Sequence, residues 1–181
     1  MSKYYFDSDC LSAFLVAQKL SIPTMLYKGD VYIPRIVYNE VTASRNYGYE
    51  DQLDRYINIG LIKLVDFDPF DETGKLYFQL TQNPEEGFKS IGRGEAAAIA
   101  LAKNNQGVLA SNNLNDISQY VKKYNLDHVT TGVIIHQAVQ DEVITEEEAG
   151  KIWDEMVNNW CKLGAKTYKD YVEKKLYDIT Y

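Results

Sequence analysis

The sequence predicts an α/β protein in which helices cover both faces of a central, mostly parallel sheet. Short runs rich in β-branched and aromatic residues alternate with longer stretches of helical character along the whole chain. Polar residues come directly after the first and fourth of those runs, at Asp7 and at Ser111-Asn112-Asn113. In open parallel sheets that is where ligands collect: beyond the carboxyl ends of strands, near the point where strand order reverses. At 181 residues and 45% hydrophobic content the chain suffices for one domain with a real core, and no internal repeat or low-complexity linker divides it.

Lys3 to Phe6 is expected as the first strand, with a helix after it through Leu11, Phe14, Leu15 and Leu20. Val31 to Ile33 forms a brief second strand, and Pro34 is a permitted entry residue for the helix that carries Val37, Glu40 and Val41. Glu50 to Asn58 is helical and ends at Gly60; Leu61 to Phe67 is the third strand. Asp71 to Leu80 is a further helix, and Asn83-Pro84-Glu85-Glu86-Gly87 is a turn. A helix over Glu95 to Asn104 leads to a strand over Gly107 to Ser111, then a helix over Asn115 to Tyr124 with Ile117, Tyr120 and Val121 inward. Asp127 to Thr130 is the last strand, and Thr131 or Gly132 opens a helix through Ile134, Ile135 and Ala138. Thr145-Glu146-Glu147-Glu148 has the form of a capping box and starts a helix running to Trp160. Gly164 closes the main domain, residues 1–164. Residues 165–181 form a helical extension with Tyr168, Tyr171, Lys174, Lys175 and Tyr177, suited to docking on the domain or to a dimer contact.

Bulk composition narrows the function classes. A formal charge of −7 argues against non-specific coating of nucleic acid, which relies on phosphate neutralisation. It leaves room for an enzyme whose bound cations meet phosphates, because a metal inverts the local electrostatics. The longest apolar run, Ala96 to Ala102, is far short of the ~20 residues a membrane span needs, and the acidic N-terminus lacks the form of a secretion signal. Two distant cysteines, Cys10 and Cys161, fit reduced thiols in a cytoplasmic protein.

Asp7, Glu40 and Glu95, remote in sequence, each lie where a strand and a helix meet. Each has an ordinary explanation. Asp7-Ser8 can cap a helix, Glu40 can sit on a solvated helix face, Glu95 suits the first turn of its helix, and Asn113 and Asp116 can serve as turn and cap residues. Together they read differently. Gathered into one pocket the acids repel one another and require a cation, and hard ions such as Mg²⁺ or Mn²⁺ take oxygen donors of this kind. Such a site generates a nucleophilic water and stabilises charge on a phosphoryl group without a Cys, His or Ser nucleophile.

Tyr5-Phe6-Asp7-Ser8-Asp9-Cys10-Leu11, Tyr32-Ile33-Pro34 leading to Asn39-Glu40-Val41, Gly94-Glu95-Ala96-Ala97-Ala98-Ile99-Ala100-Leu101-Ala102, and Val108-Leu109-Ala110-Ser111-Asn112-Asn113 resemble, in that order, the PIN domain family. The Gly132 helix and the Glu142-Val143-Ile144-Thr145 turn resemble the tail of bacterial members. The resemblance implies a three-layer α/β/α sandwich and Mg²⁺- or Mn²⁺-dependent endoribonuclease activity. It also implies an RNA substrate and, frequently, a toxin held by a small antitoxin protein. Carried over by position, Asp7, Glu40 and Glu95 are the metal-binding acids, with Ser8 and Ser111 supporting them. The position of the family's fourth acid holds Asn113, which keeps a carbonyl oxygen and loses a charge. Asp116, three residues on, is expected to assist catalysis, and a catalytically inactive binding module is the alternative reading. A homodimer is the expected assembly.

Other signals carry less. Gly92-Arg93-Gly94-Glu95 lacks the Gly-Lys-Ser/Thr of a phosphate loop, and no Gly-x-Ser-x-Gly elbow is present. His128 and His136 with two distant cysteines do not make a zinc site. Arg93 is read as a surface partner of Glu95 or as a phosphate contact. Most of the 15 tyrosines are expected in the core, with Tyr47 and Tyr49 as candidates for base stacking.

Overall fold

The structure is a computed structural model that describes residues 2–43 and 48–178. Five parallel strands form one sheet in the order β3-β2-β1-β4-β5: β1 Tyr4–Phe6, β2 Val31–Pro34, β3 Ile62–Val65, β4 Val108–Ala110 and β5 His128–Val129. The chain moves outward from β1 through β2 to β3, then returns to β4 on the other side of β1. Strand order therefore reverses between β1 and β4, which pair Tyr4 with Val108, Tyr5 with Leu109 and Phe6 with Ala110. Asp7 N–H continues that ladder to the Ala110 carbonyl at 3.0 Å, and Ser111 N–H reaches the Val129 carbonyl at 3.0 Å. Asp7 and Ser111 thus stand side by side at the switch point.

Strand alternation supplies a core on each face. Phe6, Val31, Ile33 and Ala110 face one layer with α1 (Ser8–Val16), α2 (Ser21–Leu26), α8 (Thr131–Gln140) and α9 (Glu146–Asn158). Tyr5 and Leu109 face the other, with α5 (Glu72–Gln82), α6 (Arg93–Asn104) and α7 (Leu114–Tyr124). Helices α3 (Arg35–Thr42) and α4 (Tyr49–Asn58) come after β2, and α10 (Tyr168–Glu173) is followed by a 3-10 turn at Leu176–Asp178. The result is a three-layer α/β/α sandwich. Helix α6 is buried almost all round through Ala96, Ala97, Ala98, Ile99, Ala100 and Ala102, and its small side chains let it lie close on the sheet.

Several boundaries differ from the sequence expectation for local physical reasons. The first helix stops at Val16 rather than running through Leu20. Gln18 adopts a left-handed conformation (φ 53°), and Lys19 N–H turns back to the Phe14 carbonyl at 2.8 Å, a helix-terminating motif. Leu20 then leads into α2, a helix the hydrophobic pattern did not separate from α1. The third strand is trimmed at both ends to Ile62–Val65, and α9 ends at Asn158. The capping box at α9 forms as read: Glu148 N–H donates to Thr145 Oγ1 at 3.2 Å, and Thr145 N–H donates to Glu148 Oε2 at 2.8 Å.

In α10, Tyr168 and Tyr171 are buried against Trp153, with ring centroids 5.8 and 4.9 Å from the indole. The Tyr171 ring also occupies the space that a Cβ on Gly132 would need. Tyr49 packs half-buried against the core, and Tyr47 lies outside the described residues.

Candidate active site

Asp7 is fully buried at the end of β1. It caps α1, its Oδ1 accepting the Cys10 N–H at 2.8 Å, while Oδ2 is buried with no hydrogen-bond partner. Capping therefore explains half of this carboxyl and leaves the other oxygen unaccounted for. Burial pushes its pKa up to about 7, with the Asp9 and Glu95 charges adding to the rise. The Ser111 hydroxyl and the Cys10 N–H favour the charged form and oppose the shift. Ser111 lies near enough to act electrostatically, yet it makes no well-aligned bond to Oδ2.

Glu95 sits half-buried in the first turn of α6 and folds back over the helix start, where its Oε2 fills the space of a Cβ on Gly92. Glycine at 92 is therefore a steric requirement of the carboxylate's position. Glu40, exposed on α3, accepts a hydrogen bond from the Ser8 hydroxyl. That pair lies against Gly94, where any Cβ would strike both Ser8 Oγ and Glu40 Oε2. The two glycines of Gly92-Arg93-Gly94 thus serve carboxylate packing as well as helix entry.

Asn113 precedes α7 but makes no side-chain bond that caps it. Its Nδ2 instead donates to Glu95 Oε1 at 3.2 Å and to Asp116 Oδ2 at 2.7 Å. Where the sequence suggested a carbonyl oxygen offered to a metal, the structure places an amide donor between two carboxylates. Asn113 N–H also donates to Ser111 Oγ at 3.3 Å, which ties the hydroxyl into the same loop.

Beneath this loop Asn112 grips Thr131 at both ends. Asn112 Nδ2 donates to Thr131 Oγ1 at 2.9 Å, and Thr131 N–H donates to Asn112 Oδ1 at 2.8 Å. Thr131 Oγ1 in turn reaches Cys10 Sγ at 3.3 Å, so the loops after β1, β4 and β5 share one buried polar network. The thiol itself is pushed well up by burial and by Asp7, consistent with a packing role for Cys10.

The fold brings Asp7, Glu95 and Asp116, linked through Ser111 and Asn113, and the Glu40–Ser8 pair to one end of the sheet. Among the described residues, no three acidic, histidine or cysteine side chains converge as a ready-made metal cage. The physical reason is visible: the carboxylates are engaged by donors, Asp7 by the Cys10 N–H, Glu40 by the Ser8 hydroxyl, and Glu95 with Asp116 by the shared Asn113 amide. The remaining unpartnered oxygen, Asp7 Oδ2, is an anionic ligand of the hard type that a divalent cation takes. In chemistry that oxygen fits such an ion, and the charges of Asp9 and Glu95 act on the same carboxyl.

Sequence reasoning passed over two residues at this rim. Asp9 is open to solvent, yet crowding by its surroundings, Glu95 and Asp116 raises its pKa, with Lys162 acting in the opposite direction. The spacing Asp7-Ser8-Asp9 was a signal that two acids share one helix start. Nothing local to Lys162 announced that its loop returns to the acids. Arg93, expected as a partner of Glu95, donates from Nε to Tyr77 Oη at 3.2 Å and feels the charge of Glu40. His128 Nε2 bonds the Ser111 carbonyl at 2.9 Å.

No curated protein matches the chain. A family model for the PIN domain matches residues 3–175, nearly its whole length, in agreement with the parallel sandwich and the acidic switch point. The chain belongs to the PIN-domain family, whose fold is of the nuclease type.

Proposed function

We propose that this protein is a metal-dependent endoribonuclease that hydrolyses RNA phosphodiester bonds at the acidic cluster between β1 and β4. The observation that carries this reading is Asp7: a fully buried carboxyl with one oxygen unpartnered, beside Glu95, at the strand-order reversal. A purely structural acid would be satisfied on both oxygens or exposed.

Asp7, Glu95 and Glu40 would hold a Mg²⁺ or Mn²⁺ ion, with Asp116 assisting. The chemistry such an ion would supply is a water acidic enough to ionise near neutral pH and an offset to charge on the phosphoryl group. Ser8 fixes the Glu40 carboxylate, and the Asn113 amide fixes Glu95 and Asp116. Glu95, half-buried between Asp7 and the rim, is the group suited to orient the attacking water and accept its proton. The anionic cluster also suits closure by a basic side chain of a small antitoxin protein, which growth arrest on expression of the protein alone would test.

A non-catalytic PIN-fold binding module is the second reading, and Asn113 favours it, since its amide already hydrogen-bonds two of the acids and adds no charge of its own. One experiment separates them: incubation of an end-labelled RNA with the protein and Mn²⁺. Cleavage that is lost with chelator and in Glu95→Gln supports the nuclease. Intact RNA at every Mn²⁺ concentration supports the binding module.

A further inference from the structure

Beside the acidic cluster lies a groove of about 740 Å³, within the size range of small-ligand sites. It runs between the start of α3, the loop after β3, α5 and the start of α6. Two large aromatic rings stand out on it: Phe70 is 85% exposed and Phe78 60%. Exposed rings of this size on one groove mark a recognition surface.

The rings are held in place. Phe70 N–H donates to Asp68 Oδ1 at 2.8 Å, and Asp71 caps α5 through the Gly74 N–H at 2.8 Å. Gly74 has no room for a Cβ because the backbone of Asp68 and Pro69 lies directly on it. The loop that presents Phe70 is thus clamped to the helix that presents Phe78. Beneath them Phe67 packs on Tyr77, with ring centroids 5.3 Å apart.

Charge selects the occupant. Of the three cations that line the groove, Arg35 pairs with Asp66 at 3.3 Å and Lys75 with Glu72 at 2.8 Å, so that Arg93, with no carboxylate ion pair among the described residues, is the one left to meet an anion. An unpaired guanidinium beside exposed aromatic faces suits a phosphate flanked by stackable bases. The groove is also continuous in sequence with the acids: Arg93 is two residues before Glu95 on α6, and Arg35 opens the helix of Glu40. Arg93 engages Tyr77 through Nε, which leaves its two Nη groups for a phosphate.

We propose that this groove binds single-stranded RNA, the bases stacking on Phe70 and Phe78 while Arg93 holds the phosphate next to the one presented to the acids. The identity of the strand rests on the nuclease reading. The groove is a feature of the β3–α5 loop and α5, separate from the acid cluster.

The test is fluorescence anisotropy with labelled single-stranded RNA of about ten nucleotides, in chelator so that no cleavage occurs, on the full chain. The Phe70→Ala/Phe78→Ala double variant removes only exposed rings. It should weaken binding about ten-fold or more, since two base–aromatic stacks are lost. Arg93→Ala should weaken binding and reduce the slope of log affinity against log salt by about one phosphate's worth. With Mn²⁺, the double variant should show a raised KM on the same RNA and unchanged turnover of a dinucleotide too short to reach the groove. Equal affinity of wild type and double variant overturns the proposal, as does tighter binding of duplex than of single strand. Absence of RNA binding by the wild type overturns it too. Binding through the groove without cleavage in Mn²⁺ would leave the groove standing and remove the nuclease reading. Cleavage indifferent to the Phe variants would do the reverse.

Discussion

The Asp7→Asn substitution separates the two jobs of one side chain. Asparagine retains a carbonyl oxygen to accept the Cys10 N–H, now bonded to Asp7 Oδ1 at 2.8 Å, so the α1 cap survives. The ionisable group disappears. Its folded pKa of about 7 lies above the ordinary value of 3.8. A group raised in this way leaves the native state unpenalised below its unfolded pKa. Stability is then lost as pH climbs through the window between the two values, and the loss is complete above the folded one. At ~1.4 kcal/mol per unit, the ionised carboxylate costs the native state on the order of 4 kcal/mol at pH 8. Against that, the buried amide of the variant needs partners of its own, a cost of ~1–3 kcal/mol. In metal-free buffer at pH 8 the variant should therefore be the more stable protein by about 1–3 kcal/mol, roughly 2–12 °C in Tm for a domain of this size. At pH 5 the difference should have moved by roughly 3 kcal/mol and vanished or changed sign. Thermal unfolding monitored by circular dichroism in chelator, from pH 5 to 8, reads this directly. A variant less stable than wild type at pH 8, or a gap that ignores pH, would refute the reasoning. Adding Mn²⁺ at ~100 times its dissociation constant should return about 3 kcal/mol to the wild type and far less to the variant.

The same geometry sets three further outcomes. Gly94→Ala should change stability by less than about 1 kcal/mol, because only the mobile ends of Ser8 and Glu40 must move; Mn²⁺-dependent cleavage should fall on the order of 100-fold, since displaced acids lose their alignment. Asn113→Asp should destabilise the metal-free protein by about 1–3 kcal/mol, as the donor between Glu95 and Asp116 becomes a third anion; titration calorimetry should show tighter Mn²⁺ binding. Deleting residues after Gly164 uncovers Trp153 and removes the buried rings of Tyr168 and Tyr171; the loss of ~1.5–3 kcal/mol per ring should appear as a large fall in the urea midpoint.

Much of the frame was legible because local signals agreed with one another. Tyr4-Tyr5-Phe6 is too short and too apolar to be anything but a buried strand, and Asp7 caps the helix after it. Thr145 with Glu148 announces α9 by residue type alone. The break between α1 and α2 was not legible, because Gln18 takes a left-handed conformation that usually marks glycine or asparagine. Nor was the Phe70 and Phe78 surface. Phe70 precedes the helix and Phe78 lies within it, and residue type alone does not say which apolar side chains face outward; the placement of the β3–α5 loop and α5 does. At the site, the positions of the acids could be read from order and spacing. The direction in which Asn113 points could not, since it depends on where Glu95 and Asp116 arrive.

That direction bears on how the site handles charge. Without an ion, four acids near one strand end are tolerated by sharing out the available donors: Cys10 N–H to Asp7, the Ser8 hydroxyl to Glu40, and one amide to both Glu95 and Asp116. A donor competes with a cation where both seek one oxygen, as the Asn113 amide would at Glu95 Oε1, whereas the Cys10 N–H leaves Asp7 Oδ2 open. A hydrogen bond to a charged group contributes ~1.5–3 kcal/mol, so an ion that took Glu95 Oε1 in place of the Asn113 amide would do so at about a ten- to hundred-fold penalty in affinity. An aspartate at 113 would reverse the terms: the empty site would be strained by repulsion and the filled one favoured. On the metal-dependent reading, asparagine at this position would therefore give up metal affinity for a folded state that does not need the metal. The protein should be stable in chelator and should respond to Mn²⁺ only at concentrations well above those that saturate its Asn113→Asp variant.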